Sequence, residues 1–478
     1  MGVQDREDTG NSQQGGDAGF SRRDFLASSA AAAAFTVVPS HVMAGGSELS
    51  PSDKLDLALI GTCGRARAHR GWMSDENVVA LCDVDEKNLA RAAKKFKGAE
   101  HYTDWRRCLD DYQNYDGVVI CTPDHQHAFI STWAMNRGLH VYSEKPLGIS
   151  VEEARTVRQT YLENKDKLAV QLGTQRHAYS NFNRVRELIR RGAIGELKRV
   201  HAWGRRQIPR PGYPPKEGSP PDYLHYDKWV GPSQYHPFNP SYFAGYKLQE
   251  GHSGKPGGSN CLNWNMYWDF GSGQIGDMGA HTMDLAWNAL RPCGHVTWAK
   301  AKGEEFNPDV TPVKMKATCH LPANDWRSDV EVTWWQGQMM PSDPWGHINL
   351  NSIGHGAMFQ GDKGFLIASF RDRTIIPVGG DADMSYYDAP SDDEVTEPIG
   401  GWPSFAKEWT RACKTDLQTS CDFDYAGTQA EMMELGLVAY RVGDKKLKYD
   451  GEAGRVTNSA KGDKLLSRKY RDGWTLDG

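Results

Sequence analysis

Between residues 54 and 175 the sequence alternates short apolar runs with segments of helical periodicity, and this alternation restricts the fold more than any other feature. Strands are predicted at residues 54–61, 78–83, 117–123 and 138–142, and helices at 86–96, at 128–137 and from 150 onward. Strands that alternate with helices form a parallel sheet covered by helices on both faces. The sequence therefore predicts an α/β fold in which residues 52–175 form a doubly wound parallel sheet.

The pattern changes after about residue 195, which predicts a second domain over residues 176–478. Strands are predicted at 197–203, 313–319, 329–335 and 365–368, and helices at 402–412 and 428–442. Residues 207–275 are rich in Pro, Gly, Tyr and Trp and have little periodicity. Long irregular segments are usually either functional or disordered, and the aromatic content argues against disorder. We expect an α+β domain that leans toward antiparallel strands, with this segment as a lid or wall of a site.

The first 44 residues are predicted to be a targeting segment. Arg22 and Arg23 precede an Ala-rich apolar run that ends near Val38, and the sequence up to Ala44 suits cleavage. This arrangement is typical of a bacterial twin-arginine (Tat) signal peptide. The apolar run is too short to span a bilayer comfortably, so no stable membrane insertion is expected. We expect a periplasmic or otherwise exported protein that passes through the Tat export machinery after folding.

Composition excludes several classes of function. The net charge is −5 with both signs mixed along the chain, which gives no indication of a nucleic-acid partner or a membrane-binding helix. The nine cysteines form no Cys-x-x-Cys pair, so neither a disulfide framework nor a zinc site is predicted. The 16 Trp and 19 Tyr residues suit either stacking on sugar rings or ordinary core packing, and both interpretations stay open.

The first predicted strand is followed by a turn that resembles a dinucleotide-binding loop. It contains Gly61, Cys63, Gly64 and Arg65, and Asp83 ends the next strand 22 residues after Gly61. Glycines let the backbone approach a pyrophosphate, and an acid at that distance bonds the ribose hydroxyls. The motif departs from the usual one because Cys63 stands where a second glycine is common. We predict a Rossmann-type site for NAD, with NADP as the alternative cofactor.

The next predicted strand leads into Thr122 and Pro123, then into a segment with two histidines. His125 and His127 invite a metal site, but their side chains would diverge at a strand end and no third ligand is evident. No metal is therefore predicted. Thr122, Pro123 and His127 are assigned instead to a loop that faces the cofactor.

A lysine follows the last predicted strand of this domain, where open α/β sheets bind their ligands. Lys145 stands between Glu144 and Pro146. Proline restricts the backbone and removes a donor, so the direction of the lysine side chain is well defined. Glu144 is predicted to bind the cofactor, and Lys145 to act on the substrate.

A second cluster of chemically active residues lies between Gly276 and Leu285. If a helix begins near Asp277, then Asp277, His281 and Asp284 share one face. A histidine between two carboxylates has its charged form favoured and its orientation set, which suits a general base. The alternative is structural: Asp277 caps the helix and His281 is a hydrogen-bonded core residue.

Together these motifs resemble the Gfo/Idh/MocA oxidoreductases, relatives of glucose–fructose oxidoreductase and inositol dehydrogenase, from about Leu55 to the C-terminus. The resemblance rests on the Tat leader, the glycine turn, Thr-Pro-x-His-x-His, Glu-Lys-Pro, Asp-x-x-x-His and a Tyr-Arg-Asp-Gly-Trp tail, in this order. It implies that Lys145, Asp277 and His281 are catalytic. It also implies a second domain built on an open, mostly antiparallel sheet, which such proteins often use to form homo-oligomers.

The function expected from these features is hydride transfer between a tightly bound nicotinamide and a sugar, glycoside or polyol carbinol. In this hypothesis His281, held by Asp277, takes the hydroxyl proton, and Lys145 stabilises the developing alkoxide. Burial is expected to lower the pKa of Lys145. Gln175 and Arg176 are expected to line the substrate side.

Two other functions stay open. Some relatives are glycosidases in which NAD is reduced only transiently, so that elimination of the glycosidic bond becomes easy. The Asp277 to His281 spacing favours the dehydrogenase arrangement over that chemistry. A sugar-binding protein that retains nucleotide structurally is the third hypothesis, and the presence of Lys145, Asp277 and His281 argues against it.

Overall fold

The structure is a computed structural model, and it describes residues 54–206, 208–243, 261–344, 348–378, 401–415 and 418–477. The predicted Tat signal peptide, residues 1–44, lies outside the described residues. So does part of the predicted aromatic wall, at residues 244–260.

The first sheet is built from six parallel strands in the order β3-β2-β1-β4-β5-β6. This is the strand order of a doubly wound dinucleotide-binding fold, so the prediction for this domain is confirmed. The strands are β1 (Asp56–Ile60), β2 (Asn77–Cys82), β3 (Glu100–Tyr102), β4 (Gly117–Ile120), β5 (His140–Ser143) and β6 (Val170–Leu172).

The central strands of this sheet are buried on both faces. Residues 57–60 of β1 and all of β4 are buried, which explains why they appear in the sequence as unbroken apolar runs. The α-helices that connect these strands are Ala66–His69, Glu86–Ala93, Trp105–Asp110, Asp124–Asn136 and Val151–Asn164. Ser150 caps the last of them, because its side chain accepts the Glu153 N–H.

The second sheet has nine strands among the described residues, in the order β13-β12-β11-β7-β10-β9-β8-β14-β15. Only β7 and β10 pair in parallel, so the prediction of a mostly antiparallel sheet is confirmed. The strands are β7 (Leu197–Gly204), β8 (Trp298–Gly303), β9 (Met315–Leu321), β10 (Val330–Gln336), β11 (Gly356–Gly361), β12 (Gly364–Ala368), β13 (Arg373–Pro377), β14 (Leu447–Asp450) and β15 (Arg455–Val456).

Helices that follow β6 pack against this sheet and against elements of the first domain. The described α-helices there are Ser180–Arg190, Tyr226–Val230, Ala280–Leu290, Gly401–Cys413, Phe423–Val442 and Ala460–Lys464. Phe423–Val442 packs against both β8 and β9 and against Val151–Asn164. The strands of the two sheets thus divide near residue 175, while the helical layers interlock across that predicted domain boundary.

Two sequence predictions differ from the structure in detail. The helix expected from residue 128 begins at Asp124, because Pro123 already has an extended backbone conformation that leads directly into the first turn. The strands β3, β6, β8, β11, β13, β14 and β15 were not predicted, since each is short or has few apolar residues in alternation. Among the residues that the structure describes, none of the helices combines the length and apolar character needed to cross a lipid bilayer.

Candidate active site

A cavity of 720 Å³ opens at the carboxyl ends of the parallel strands and is closed on its far side by the second domain. The residues predicted for the site all line it, whether they were assigned to cofactor, substrate or catalysis: Gly61, Cys63, Gly64, Arg65, Asp83, Thr122, Pro123, His127, Glu144, Lys145, Gln175, Arg176, Asp277 and His281. The fold therefore gathers residues that are up to two hundred positions apart in the sequence.

The irregular aromatic segment forms part of the wall, as predicted for its described residues. Trp229, Phe238, Phe243 and Trp264 line the cavity. Trp229, Phe238 and Trp264 are also members of a buried aromatic cluster.

The turn after β1 depends on glycine. Gly61 has a φ of +83°, and a Cβ there would lie 2.6 Å from the backbone of Cys121 at the end of β4. Gly64 also has a positive φ, of +58°. Cys63 lies between them, and its Sγ accepts a hydrogen bond of 3.2 Å from the Arg67 guanidinium. The turn is thus a tight loop with an open, backbone-lined surface, which fits the close approach of a dinucleotide pyrophosphate.

Asp83 connects this turn to the end of β2. Its Oδ2 accepts both the backbone N–H and the hydroxyl of Thr62 at 2.8 Å, and its Oδ1 accepts the Asp85 N–H at 2.9 Å. Burial raises the pKa of Asp83. One acceptor position of the carboxylate stays available on the cavity side. Its role in binding the ribose remains a prediction.

Glu144 joins the turn to the lysine loop. Its Oε1 lies 2.7 Å from His69 Nε2 and 3.1 Å from Arg65 Nε. Burial acts to raise the pKa of Glu144, but Arg65 and His69 outweigh it and hold that pKa at about 2. The Glu144 carboxylate is therefore ionised and bonded to Arg65 and His69. These bonds hold the loop from which the neighbouring Lys145 reaches the cavity.

Lys145 forms a buried ion pair with Asp277 across the two domains. Its Nζ lies 2.7 Å from Asp277 Oδ1, and Arg206 Nη1 lies 3.4 Å from Asp277 Oδ2. Burial acts to lower the pKa of Lys145, but the combined attraction of Asp277, Cys261 and Asp124 outweighs burial and raises that pKa. The expectation of a lowered pKa for Lys145 is therefore wrong. Lys145 and Arg206 in turn hold the pKa of Asp277 well below its usual range, against burial.

His281 is buried near the cations Lys145 and Arg176 and near the carboxylates Asp277 and Glu144. Its side-chain Nδ1 has no hydrogen-bond partner among the described residues. Burial, Lys145 and Arg176 together lower the pKa of His281 well below its usual value. The expectation that the charged imidazole is favoured is wrong, because the neutral form is the stable one. A neutral imidazole in a ligand cavity is competent to accept a proton.

The predicted shared face of Asp277, His281 and Asp284 does not form. Asp284 accepts from the Tyr425 hydroxyl at 2.6 Å and lies 3.0 Å from His177 Nδ1, away from His281. The chain from Ile275 to Gly279 is a π-helical turn, and regular α-helix begins only at Ala280. Because a π turn contains more residues than an α turn, it changes the direction of Asp277 relative to His281.

Gln175 and Arg176 are presented by a one-turn 3₁₀ helix, Gln175–Ala178, that follows β6. The contact of His177 with Asp284 holds this turn against the helix that carries His281. The Arg176 guanidinium lies 4.3 Å over the Phe370 ring and 3.7 Å from the Met278 sulfur. Both residues therefore lie on the second-domain side of the cavity, as predicted for substrate contacts.

Among the cavity residues that were not predicted, three lie close to the Lys145–Asp277 pair. Asp124 is buried, and its Oδ2 has no partner among the described residues. Burial raises the pKa of Asp124 to about 8, against the attraction of Lys145. The second of these residues is Arg206, which follows β7. The third is Cys261, whose Sγ lies 3.7 Å from Asp277 Oδ1. The strand that precedes Arg206 was predicted, but the sequence does not indicate that the end of this strand lies at the cavity.

The two histidines considered for a metal bond to backbone carbonyls. His125 Nε2 lies 2.8 Å from the Trp229 oxygen. His127 lies 2.8 Å from the carbonyl oxygens of both Pro146 and Thr122, so it holds the two strand-end loops together. His127 thus faces the cofactor side of the cavity as a positioning residue.

Residues 55–172 match the model of the Gfo/Idh/MocA family, described as an oxidoreductase family with an NAD-binding Rossmann fold. A glycosyl hydrolase family 109 protein of Stenotrophomonas maltophilia is 32% identical over 202 residues, 38% of this chain and 41% of that protein. The inositol 2-dehydrogenase of Salmonella typhimurium is 26% identical over 151 residues, 31% of this chain and 44% of that enzyme. This chain covers less than half the length of each of these two relatives.

A solved structure with a similar fold is that of an inositol dehydrogenase homologue from Azotobacter vinelandii, complexed with NADH and myo-inositol. It superposes with a TM-score of 0.52 and 18% identity, covering 83% of this chain and 98% of that one. At this level of sequence identity, the similarity between the two structures shows a shared fold. The strand order and the glycine turn show that residues 55–172 form a Rossmann domain, and this domain matches the NAD-binding domain of the Gfo/Idh/MocA oxidoreductases.

Proposed function

We propose that the chain is an NAD-dependent dehydrogenase that oxidises a carbinol of a sugar, glycoside or polyol, or reduces the corresponding ketone. The observation that carries this proposal is the pairing of Lys145 with Asp277 beside a neutral His281, in the cavity that the glycine turn lines. An ammonium group and a proton acceptor beside a cofactor site are the two groups that carbinol oxidation needs.

The residues that would hold the dinucleotide are those of the turn, Gly61 to Arg65, together with Asp83 and Thr122. When bound, NAD accepts a hydride from the carbinol carbon. The backbone-lined turn and the buried carboxylate of Asp83 fit such a ligand.

Lys145 acts as the electrostatic group in this proposal. Asp277 keeps it protonated and directs it, so that it donates a hydrogen bond to the substrate oxygen as negative charge develops there. His281 takes the hydroxyl proton, since burial and the nearby cations leave its imidazole neutral. Asp277 therefore positions Lys145, whereas the sequence predicts that it positions His281.

The inositol 2-dehydrogenases among the relatives support a polyol or sugar substrate. The match covers less than half of each of them, so the substrate of this chain stays part of the proposal. NADP is the alternative cofactor, and the buried Asp83 favours NAD because a 2′-phosphate would meet a carboxylate.

A second candidate is an NAD-recycling glycoside hydrolase. It is favoured by the relative from Stenotrophomonas maltophilia, which is a glycosyl hydrolase family 109 protein. In this chemistry, oxidation of one sugar carbon to a ketone would acidify the neighbouring C–H, and the glycosidic bond would break by elimination. Water would then add to the resulting unsaturated ketone, and return of the hydride to the ketone carbon would restore the sugar.

One experiment separates the two candidates. Purified protein, without added nucleotide, is mixed with free sugars, polyols and aryl glycosides, and reduced-nicotinamide absorbance and leaving-group release are recorded together. Stoichiometric reduction of bound cofactor without bond cleavage supports the dehydrogenase. Repeated leaving-group release without net reduction supports the hydrolase, and neither signal with cofactor bound would contradict both.

We also propose that the protein is exported through the Tat machinery and acts as a homo-oligomer in the periplasm. Arg22 and Arg23 before the apolar run support export. Partly buried Trp335, Phe365 and Ile376 on the second sheet support self-association. Replacing both arginines with lysine should retain the protein in the cytoplasm, and a processed double variant in the periplasm would contradict export through the Tat machinery.

Light scattering of the purified protein should give a mass greater than that of one chain, and the mass of a monomer would contradict self-association.

A further inference from the structure

The substrate end of the cavity carries more positive than negative charge. Lys145, Arg176 and Arg206 all line it, and Asp277 is the carboxylate that faces them as an ion-pair partner among the described residues. The second nearby acid, Asp124, is protonated at neutral pH because burial raises its pKa to about 8. Three cations therefore share one ionised carboxylate.

Arg176 is the one of these three cations that forms no ion pair with this carboxylate, although Asp277 attracts it at longer range. No carboxylate of the described residues lies within ion-pair distance of its guanidinium, which contacts the Phe370 ring and the Met278 sulfur instead. Burial lowers the pKa of Arg176, although an arginine stays charged at any physiological pH. A partly buried guanidinium without a counterion gains free energy when an anion reaches it.

Arg206 lies next to Arg176 on the same wall. Its Nη1 is 3.8 Å from the same Met278 sulfur and 3.4 Å from Asp277 Oδ2, and its backbone N–H donates to Gln274. About a third of its side chain is exposed to the cavity and solvent. The two guanidinium groups therefore flank Met278 and can bind opposite sides of one anionic group.

We propose that the substrate is an acidic sugar, whose carboxylate or phosphate group is bound by Arg176 with help from Arg206. This inference rests on the proposed dehydrogenase function, because it concerns the substrate of the same site. Arg176 is then a specificity-determining residue that orients the sugar, while Lys145 and His281 act on its carbinol.

The cofactor pyrophosphate does not account for this charge. The turn that faces a pyrophosphate lies on the first domain and carries its own arginine, Arg65, which is paired with Glu144. Arg176 belongs instead to the segment after β6, beside Met278 and His281 of the second domain. Loss of Arg176 should therefore weaken the sugar more than the nucleotide.

The test measures ligand binding to NADH-loaded protein by calorimetry, with matched pairs: a hexuronate against its neutral hexose, and a hexose 6-phosphate against the same hexose. We expect one acidic member to bind at least about 10-fold more tightly than the hexose. Arg176→Gln should reduce that affinity on the order of 10- to 100-fold, the loss expected for a charged hydrogen-bonded contact, with NADH affinity unchanged.

The matched control is Arg371→Gln, which removes the same charge from an exposed arginine next to Phe370 and should change neither affinity. In the unmodified protein, binding of the acidic sugar should also weaken as salt is raised, while that of the neutral sugar should not.

Equal affinity for acidic and neutral sugars would overturn the inference, and so would an Arg176→Gln variant that loses NADH instead. If a neutral polyol reduces the bound cofactor and acidic sugars do not bind, the dehydrogenase proposal stands and the acidic-substrate inference fails. If no sugar of either kind binds or reduces the cofactor, both fail.

Discussion

At the scale of single residues, the chemistry of the site depends on how charge is shared around Asp277. The carboxylate keeps Lys145 protonated, and burial together with the surrounding cations keeps His281 neutral. One residue therefore donates and the other accepts, which is the division of roles that alcohol oxidation needs.

Replacing Lys145 with alanine should reduce kcat about 100- to 1000-fold, because the charge developing on the substrate oxygen loses its stabilising partner. The dissociation constant for NADH should change little, since the turn around Gly61 is untouched. Steady-state kinetics and NADH titration measure the two effects. Lys145→Arg keeps the charge and should retain more activity; full activity in Lys145→Ala would contradict the proposed role.

Asp277→Asn should make catalysis sensitive to alkaline pH. In the unmodified protein Asp277 raises the pKa of Lys145, so the ammonium persists throughout the working range. Without the carboxylate the largest attraction on the ammonium is missing, so burial lowers the pKa of Lys145 below its value in the parent, and the ammonium is lost as pH rises through that lower value. The pH profile of kcat should therefore fall at high pH in the variant alone. Superimposable profiles would show that Lys145 does not depend on Asp277.

At the scale of elements, the turn between β1 and the following helix is the part of the cofactor site with the least steric tolerance. Gly61→Ala would place a Cβ 2.6 Å from the backbone of Cys121, which belongs to the sheet and cannot move away. We expect the turn to be displaced and NADH affinity to fall by at least about 10-fold, with a lower melting temperature.

The control for this change is Gly71→Ala. A Cβ at Gly71 meets nothing within 4 Å, and the residue has a φ of −66° that alanine adopts freely. Its effect on stability should be small, within about 0.5 kcal/mol. Unchanged NADH affinity in Gly61→Ala, measured beside this control, would show that the turn is not the pyrophosphate site.

At the scale of the whole molecule, two buried acids couple stability to pH. Burial raises the pKa values of Asp124 and Glu434 to about 8 each. Ordinary carboxyl groups in an unfolded chain titrate near pH 4. The folded state therefore binds more protons between about pH 4 and pH 8, and its free energy of unfolding falls as pH rises across that interval.

Glu434→Gln should flatten this decline, because glutamine can keep the contact with Ser272 without titrating. Denaturant unfolding from pH 5 to pH 9 measures the effect, and the difference between variant and parent should grow in favour of the variant at the alkaline end. Glu100→Gln, at an exposed position, is the control and should leave the slope unchanged. Parallel curves for Glu434→Gln and the parent would refute the buried titration.

The C-terminal tail also acts at this scale, because it returns to the first domain. Trp474 packs near Trp105 and Phe129 and lines the cavity, and Trp133 donates to the Thr475 carbonyl. The resemblance to known oxidoreductases included this tail, but its position against the nucleotide domain could not be read from its sequence.

Local sequence was sufficient for the four central strands of the parallel sheet and for most of the site residues discussed above. Unbroken apolar runs predict β1, β2, β4 and β5, since strands buried on both faces require them, and the residues that end those strands must meet at one edge of the sheet. That is why the glycine turn, Asp83, Thr122 and Lys145 all reach the same cavity.

Only the tertiary structure decided which groups are paired and which are charged. Asp277 was expected to hold His281 four residues away, but it bonds to Lys145, 132 residues away. The π-helical turn that contains Asp277 and the packing of the two sheets determine that Asp277 pairs with Lys145. Neither feature leaves a periodic signal in the sequence. The protonation of His281 and Asp124 likewise depends on burial and on neighbours from distant segments, so the sequence determined the components of this site and the packed fold determined their chemistry.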